Sequence, residues 1–369
     1  MKIAILMSLS SPWSREIAKN LARLNNSVRI IDFASHNSGQ YLNTKDSFIQ
    51  EELKSFYKEM DEIFLLKSKF VSKIKYFLLL FELRKYLKKT KPDILLALYG
   101  GGYGFMTYLS GFKPYVNYVV GDDVLIMNWY KKLIVPRMLE NAAIVFGNGK
   151  YLCHQTAKLA PKANLISLYV GIDTNYFKPV RVKKSIGIKI ICTRGFSPEY
   201  NNENIVLALS FLQEKYQNIS VVFASKGPTL EYVKGLANRV LEKKMRENVQ
   251  FLGGVSQEDL LYEIQDSDIY ISMSRSDGAS ISLMEAMACD TYPIISDILP
   301  NREWLICENV SLIPLDQPEV LANKIEEVCS NNQARKAALK FNRKLILKEC
   351  NIVENIKKMS DMMLSKVLN

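Results

Sequence analysis

The sequence has few of the features that mark membrane-spanning, secreted or metal-dependent proteins. No apolar run reaches the roughly 18 residues that a membrane-spanning helix needs, and the short apolar stretch after Lys2 does not resemble a signal peptide. The six cysteines include no pair at CxxC spacing, and the histidines are His36 and His154 alone. We therefore expect a cytosolic chain with reduced thiols, without a zinc site or a histidine-based metal site.

The chain also lacks short internal repeats, low-complexity tracts, a recognition helix and an aromatic-basic RNA motif, which disfavours a nucleic-acid-binding protein. Positive charge is abundant instead. The net charge of +11 over 369 residues favours anionic partners such as nucleic acid, anionic lipid or phosphorylated ligands. At roughly 150 residues per domain, this length predicts two domains.

Predicted strands and helices alternate along the chain, which is typical of parallel sheets covered by helices. The predicted strands are 2–7, 27–33, 93–99, 115–120, 143–147, 188–192, 220–224, 249–252, 269–272 and 292–296. The predicted helices include 15–24, 150–159, 203–216, 230–244 and 258–265. The pattern restarts after a polar linker near Pro179, so the prediction is an α/β fold of two Rossmann-like, doubly wound parallel-sheet domains that face a cleft.

We place the first domain at 1–179 and the second at 180–349, and the C-terminal helix at about 350–369 could pack back on the first. Ligands on such sheets bind beyond the carboxyl ends of the strands, so the cleft is the expected site.

One stretch of the second domain, "SDGASISLMEAMACDTYP" from Ser276 to Pro293, carries two carboxylates that are eight residues apart, Asp277 and Glu285. A helix that begins near Ser280 would present free backbone N–H groups, which suit a diphosphate. The carboxylates would repel phosphates, so they are candidates for binding ribose and sugar hydroxyls. The alternative is that Asp277 is a turn residue and Glu285 a solvated helix position.

Three segments together resemble glycosyltransferase family 4, whose members have the two-domain GT-B fold. The stretch above resembles the family's Glu, seven residues, Glu, then Ala-Met-Ala-Cys-Gly-Thr-Pro. Residues 169–179, "YVGIDTNYFKP", resemble "NGVDTxxFxP", and residues 193–199, "TRGFSPE", resemble "GRLxPEKG". The resemblance is strong over about 170–300 and only architectural over 1–168.

The sequence departs from the family pattern at several positions. Asp277 replaces the first Glu, and Asp290 replaces the glycine after Cys289. The family lysine that joins the arginine on the diphosphate is missing, and residues 200–202, "YNN", occupy its region. In the first domain, residues 8–11 stand where the family has a Gly-Gly pair, and residues 121–123, "GDD", stand where a histidine is often present.

The resemblance implies a role for most of the candidate site. Arg194 would bind the diphosphate and stabilise the leaving group, with Lys226 as a possible second cation. Glu285 would hold the ribose, and Asp277 would contact hydroxyls of the transferred sugar. The diphosphate would lie against the turn and helix start, and the base against backbone groups near Val255, unless the loop there is an ordinary one. The expected contacts along that turn are Gly278, Ala279, Ser280 and Ile281.

First-domain candidates are fewer. Asp122 or Asp123 could touch the sugar or the acceptor, or the pair could form only a turn and a helix cap. Residues 100–104 could line the acceptor side. Residues 64–91 are rich in Lys, Arg, Phe and Leu, so part of this segment must pack on the sheet, and its cations could meet anionic lipid or only solvent.

The site residues and the resemblance together predict a glycosyltransferase that uses a nucleoside-diphosphate sugar and needs no metal or other cofactor, and the resemblance implies that it retains the anomeric configuration. We expect it to act at the inner face of the cytoplasmic membrane, on a glycan or lipid-linked acceptor in cell-surface polysaccharide, lipopolysaccharide or glycolipid synthesis. One alternative is a non-catalytic sugar-nucleotide-binding module, and a second, disfavoured one is a basic nucleic-acid-binding protein. The sequence names neither the donor sugar and base nor the acceptor and linkage.

Overall fold

The computed structural model describes residues 1–33, 47–65, 74–179, 187–216 and 218–368. It divides into two compact units. Unit one consists of Met1–Val170 together with Ile352–Asn369, and unit two consists of Gly171–Asn351. No helix among the described residues is long and apolar enough to cross a membrane.

Unit one contains a seven-stranded parallel sheet with the order β3-β2-β1-β4-β5-β6-β7. Its strands are β1 (Lys2–Leu6), β2 (Ser27–Asp32), β3 (Glu62–Leu65), β4 (Ile94–Leu98), β5 (Tyr115–Val119), β6 (Ile144–Gly147) and β7 (Leu165–Ser167). Its helices are α1 (Pro12–Arg23), α2 (Ser47–Glu59), α3 (Ile74–Thr90), α4 (Gly102–Ser110), α5 (Asp122–Leu125), α6 (Trp129–Glu140) and α7 (Lys150–Leu159), with α15 (Ile352–Leu368) added from the end of the chain.

Side chains alternate between the two faces of the sheet along each strand, so each face has its own apolar core, and helices cover both faces. In β1, Ile3 and Ile5 belong to the core beneath α1, α2 and α15, whereas Ala4 and Leu6 belong to the core beneath α3, α4 and α6. The last helix, α15, contributes Ile356 to the first of these cores and packs against α1.

Unit two contains a six-stranded parallel sheet with the order β10-β9-β8-β11-β12-β13. Its strands are β8 (Ile188–Cys192), β9 (Ile219–Phe223), β10 (Val249–Phe251), β11 (Ile269–Ser272), β12 (Tyr292–Ser296) and β13 (Ser311–Ile313). Its helices are α8 (Asn202–Leu212), α9 (Leu230–Val240), α10 (Lys243–Glu247), α11 (Gln257–Asp266), α12 (Ile281–Ala288), α13 (Pro318–Ser330) and α14 (Asn332–Glu349).

The predicted fold class is confirmed, since both units are doubly wound α/β structures. The division of the chain differs from the one we expected, because it falls after Val170 rather than near Pro179. The backbone N–H of Ile172 donates to the carbonyl of Cys350 at 2.8 Å, and the side chain of Gln265 donates to the carbonyl of Lys178 at 2.7 Å. These bonds tie residues 171–179 to unit two, and the rest of the predicted linker, 180–184, lies outside the described residues.

Candidate functional site

The residues that the sequence singled out in unit two follow four neighbouring strands of one parallel sheet. Arg194 follows β8, Lys226 follows β9, Val255 follows β10, and Asp277 follows β11. The strand order reverses direction between β8 and β11, which is where ligands bind in doubly wound sheets. Arg194 and Asp277 therefore lie on either side of this switch point.

The guanidinium of Arg194 lies at the centre of the site. One terminal nitrogen, Nη2, is 3.0 Å from Oδ2 of Asp277, and the other, Nη1, donates to the hydroxyl of Ser280 at 3.0 Å. Its Cζ lies 4.4 Å from the ring centroid of Tyr200, which is cation–π distance. Both charged side chains are nearly buried, with 11% of Arg194 and 13% of Asp277 exposed, so the pair is poorly screened by solvent.

The start of α12 is built by Asp277 and Ser280. The Gly278 N–H donates to Oδ1 of Asp277 at 2.9 Å, which fixes the turn before the helix. Ser280 is the N-cap, and its hydroxyl accepts from the Leu283 N–H at 3.3 Å while it also accepts from Arg194. Ser280 thus joins the cation to the helix N-terminus, and both favour an anion at this place.

Glu285 lies on the one partly accessible side of α12. Helical spacing places it on the same side as Ile281 and Ser282, which are also half-buried, whereas the residues around it are buried. Its carboxyl has no hydrogen-bond or ion-pair partner among the described residues, although Arg194 is close enough to act on it electrostatically. Burial raises the pKa of this carboxyl to about 8, and the charge of Arg194 acts in the opposite direction.

The loop that carries Lys226 is fixed to the loop that carries Arg194. The Phe196 N–H donates to the Lys226 carbonyl at 3.1 Å, and the Thr229 N–H donates to the Phe196 carbonyl at 3.1 Å. A Cβ at Gly227 would lie 2.2 Å from the Phe196 carbonyl oxygen, so only glycine allows this approach. The side chain of Lys226 is exposed and runs along Gly254, the residue before Val255. A Cβ added at Gly254 would lie 3.2 Å from Cδ of Lys226.

Sequence reasoning missed a polar network that joins three loops at this edge. Arg275, after β11, makes two hydrogen bonds of 2.6 Å to the carboxylate of Asp316, after β13. It also donates to Oδ1 of Asn201, after β8, at 3.2 Å, and its backbone N–H donates to the Glu199 carbonyl at 2.7 Å. The network fixes residues 199–201, and with them Tyr200 beside Arg194. The only sequence signal is that Asn and Asp tolerate the left-handed backbone that Asn201 and Asp316 adopt.

The two aspartates of unit one have different environments. Asp123 is buried, and its carboxylate accepts from the backbone N–H groups of Gly100 and Gly121 at 2.7 Å and of Val120 at 3.2 Å. Burial raises the pKa of Asp123, and these N–H groups act in the opposite direction. Asp123 therefore joins the loops after β4 and β5, whereas Asp122 is exposed.

Comparisons with known proteins agree for both units. Residues 176–345 match a family model described as glycosyl transferases group 1, and residues 3–147 match one described as glycosyl transferase 4-like. No curated protein sequence matches the chain significantly.

Several solved structures share the whole architecture at low sequence identity. HepE from Anabaena, solved with UDP, has a TM-score of 0.81 at 15% identity, covering 99% of this chain and 100% of its own. A glycosyltransferase from Rickettsia africae ESF-5 has a TM-score of 0.80 at 17% identity, with 100% and 98% covered. Sucrose-phosphate synthase from Thermosynechococcus elongatus has a TM-score of 0.79 at 15% identity, with 99% and 98% covered.

Proposed function

The chain belongs to the glycosyltransferases and has the GT-B fold, and on this premise we propose that it moves a sugar from a nucleoside-diphosphate sugar to a glycan or lipid-linked acceptor. Membership of this family leaves a nucleic-acid-binding protein without support, and turnover of donor by the purified protein distinguishes transfer from a non-catalytic sugar-nucleotide-binding module. The proposed setting is the cytosolic face of a membrane, in the synthesis of cell-surface polysaccharide, lipopolysaccharide or glycolipid.

The observation that carries this proposal is the position of Arg194 between Asp277 and the N-terminus of α12, at the switch point of the sheet. A guanidinium offers several donors to phosphate oxygens, and the free N–H groups of a helix start add positive potential. Both act on the charge that develops on the departing nucleoside diphosphate. Because these groups supply the stabilisation, we propose that transfer requires no divalent metal.

Asp277 has two functions in this proposal. In the free enzyme it holds Arg194 in place through the ion pair of 3.0 Å. Each carboxylate oxygen can accept more than one hydrogen bond, so Asp277 can also bind hydroxyls of the transferred sugar. The sugar would be transferred with its anomeric configuration retained, as the resemblance to family 4 implies. The acceptor would attack the sugar on the face from which the diphosphate departs.

Glu285 is proposed to bind the ribose of the donor. Its half-buried carboxyl faces the same side as Ile281, at the start of α12, and has no partner there among the described residues. A ribose diol would supply two hydroxyl donors to the carboxylate, which would then be charge-assisted acceptors. Donor binding would therefore lower the pKa of Glu285, because it favours the ionised form.

The remaining contacts complete a donor site on unit two. Lys226 is proposed to assist Arg194 on the diphosphate, and backbone groups near Val255 to hold the base. Asp122 of unit one is proposed to contact the sugar or the acceptor, since its carboxylate is exposed and Asp123 is occupied by backbone N–H groups.

A ligand screen tests the donor class. HepE is solved with UDP and with UDP-glucose, so these are the first probes, followed by the other nucleoside diphosphates and their sugars. A ligand that binds only the folded state at 100 times its Kd stabilises it by about 2.7 kcal/mol, which a thermal-shift assay detects. If no nucleoside diphosphate or nucleotide sugar shifts the melting temperature, the proposed donor class is wrong.

Transfer and metal dependence are then measured with the donor that binds. We expect transfer to an acceptor to continue in EDTA, and NMR of the product to show the donor's anomeric configuration. Complete loss of transfer in EDTA that added Mg²⁺ or Mn²⁺ restores would refute metal independence. An inverted anomeric centre would refute retention.

A further inference from the structure

Helix α14 of unit two carries far more positive than negative charge. Glu349, its last residue, is its one acid. Its cations are Arg335, Lys336, Lys340, Arg343, Lys344 and Lys348. The helix dipole accounts for Lys348, in the last turn, but cations further from the C-terminus gain little from it. The other cations of the helix therefore need another explanation.

Three of these cations form a row along one side of α14. Lys336, Lys340 and Lys344 follow one another at four-residue spacing, so their side chains leave the same side of the helix. All three are exposed, and none has a hydrogen bond or ion pair with another described residue. Like charges at this spacing destabilise a helix. An anion that bound all three lysines would remove this repulsion.

The lysine row lines a hollow of about 400 Å³. The hollow lies between α14 and the turn after α12, and the two helices pack on each other. Arg343 is its fourth cation, Asp290 is its one acid, and Leu339 and Leu347 complete the lining. Four positive charges and one negative charge give the lining a net charge of +3. The volume is in the range of small-molecule sites.

The walls of the hollow are held in place by hydrogen bonds. Arg343 donates to the carbonyl of Ala288, the last residue of α12. On the buried side of α14, Asn342 donates to the Asn309 carbonyl at 2.8 Å, and the Asn309 side chain donates to Oδ1 of Asn342 at 2.6 Å. These bonds fix α14 to α12 and to the loop before β13. The cations are therefore spaced before a ligand arrives, so less ordering is needed on binding.

We propose that this hollow binds a polyphosphate group, a chain of two or three linked phosphates on a small soluble ligand. The phosphates would lie along the lysine row, whose successive Cβ atoms are about 5–6 Å apart. Arg343 would add a planar guanidinium, which can donate two hydrogen bonds to one phosphate. A single phosphate would contact fewer of the four cations, so the lining favours a longer anion.

The hollow is separate from the proposed donor site. Helix α12 has eight residues, so its two ends are about 12 Å apart at about 1.5 Å per residue. Ser280, at its start, belongs to the donor site, whereas Asp290 follows its end. The hollow is also distinct from the basic segment 64–91 of unit one, of which residues 66–73 lie outside the described residues. The inference therefore does not rest on the proposed function.

The lining favours a small polyphosphate over a macromolecule. None of the described residues that line the hollow is aromatic, so a nucleic-acid base would have no ring on which to stack. An anionic bilayer would meet the three exposed lysines but would leave the half-buried Arg343 without an anion. A ligand that enters the hollow would reach both.

Calorimetry with inorganic triphosphate tests the site. The reference protein is Arg194→Lys, in which the proposed diphosphate site is weakened. We expect it to bind triphosphate with an affinity that falls as salt is raised, and to bind orthophosphate at least about tenfold more weakly. The hollow variant adds Lys336→Gln, Lys340→Gln and Lys344→Gln. It should bind triphosphate at least about tenfold more weakly than the reference, because each exposed ion pair contributes up to about fivefold.

A matched control carries the same change in charge elsewhere in unit two. Lys234→Gln, Lys243→Gln and Lys348→Gln, added together to the reference, remove three exposed cations that do not line the hollow. This control should bind triphosphate as the reference does. Equal affinities of the control and the hollow variant would overturn the proposal, because binding would then reflect net charge alone.

Melting temperatures provide a second readout. Without ligand, the hollow variant should melt no lower than the reference, because the lysine row is repulsive. Triphosphate should raise the melting temperature of the reference and of the control but not that of the hollow variant, since a ligand that binds the folded state stabilises it. An equal rise in all three proteins would refute the site.

Two further outcomes separate this inference from a lipid surface and from sugar transfer. If the hollow variant loses flotation with phosphatidylglycerol vesicles while triphosphate binds to none of the proteins, the lysine row is a lipid-binding surface and the proposal is refuted. Triphosphate binding that the hollow variant abolishes, in a protein whose wild type transfers no sugar, would refute the proposed function alone.

Discussion

Glu285→Gln should make the protein more stable and its donor binding weaker. Gln has nearly the size of the protonated carboxyl and carries no charge, and it forms helix as readily as Glu. The pKa of Glu285 rises from 4.5 to about 8 on burial in the folded protein. Ionisation in the folded state is therefore unfavourable, and the substitution removes this cost.

The sign and size of the stability change follow from linkage. Between pH 4.5 and 8 the folded state binds the proton more tightly than the unfolded state, so wild-type stability falls as pH rises through this range. One pKa unit corresponds to about 1.4 kcal/mol, which puts an upper bound of about 5 kcal/mol on the full effect above pH 8. Because the carboxyl keeps some contact with solvent, we expect roughly 2–4 kcal/mol.

Urea unfolding at pH 5, 7 and 9 measures this change. The free energy of unfolding of Glu285→Gln should exceed that of the wild type by an amount that grows with pH and levels off above pH 8. The control is Glu319→Gln, at an exposed position in the first turn of α13, which should show no comparable increase.

The same variant tests the ribose contact. Loss of charge-assisted hydrogen bonds, each worth about 1.5–3 kcal/mol, should weaken nucleoside diphosphate binding by about ten- to a hundredfold in calorimetry. For the wild type, affinity should rise as pH increases toward 8, because ligand binding favours the ionised carboxyl; for the variant this pH dependence should disappear. If Glu285→Gln matches the wild type both in stability at pH 9 and in affinity for the nucleoside diphosphate, burial does not disfavour ionisation of Glu285, and Glu285 does not bind the ligand.

Three further substitutions test the surroundings of the site. Arg194→Lys keeps the charge but loses the planar fork, so nucleoside diphosphate affinity should fall about tenfold or more in calorimetry; an unchanged Kd would refute the diphosphate role. Arg275→Lys removes the two-bond contact to Asp316, so donor KM should rise. The free energy of unfolding should change by less than about 1 kcal/mol, because the ion pair is largely exposed. An unchanged KM would mean that Arg275 and Asp316 form only a surface ion pair. Asp123→Asn turns an amide group toward backbone N–H donors, so urea unfolding should show a loss of about 1–3 kcal/mol, and no loss would contradict its structural role.

The middle of each sheet was predictable from sequence, whereas three of the four edge strands were not. β1 and β11 are apolar except for Lys2 and Ser272 at their ends, as expected for strands buried on both faces. Their predicted bounds differ from the observed ones by at most one residue. The edge strands β3, β7 and β13 were not predicted, and each has only three or four residues, which show little of the two-residue period. β10, the fourth edge strand, is as short and was predicted at 249–252.

The predicted donor-site residues each lie after a strand of unit two, and the resemblance to family 4 is what assigned their roles from sequence. The order of the strands across the sheet cannot be read from the sequence, so the contact between Arg194 and Asp277 is known only from the structure. The contact between Arg275 and Asp316 has no sequence signature either, because an exposed arginine and an exposed aspartate are ordinary loop residues until the fold brings them together.

Two residues that replace family glycines keep the backbone that glycine would adopt. Aligned on Pro198-Glu199, the missing family lysine falls on Tyr200 and the glycine after it on Asn201, which has a φ of 51°. Asp290, also at a family glycine position, has a φ of 58°. Both positions need the left-handed backbone, which glycine adopts freely and which Asn and Asp tolerate better than other residues. Asn201 and Asp290 therefore adopt the left-handed backbone without glycine.

At the position of the family lysine, the side-chain chemistry differs. Tyr200 places a ring face against Arg194 where the family pattern has a second cation, and Asn202 donates to the Gly195 carbonyl at 3.0 Å. Cation–π contact and the ion pair to Asp277 orient the guanidinium, so less conformational entropy would be lost if it binds phosphate as proposed. In the proposed donor site a well-oriented Arg194 would therefore take over much of what two cations do in the family pattern, with Lys226 assisting it. The Arg275–Asp316 contact is part of that orientation because it fixes the loop that carries Tyr200.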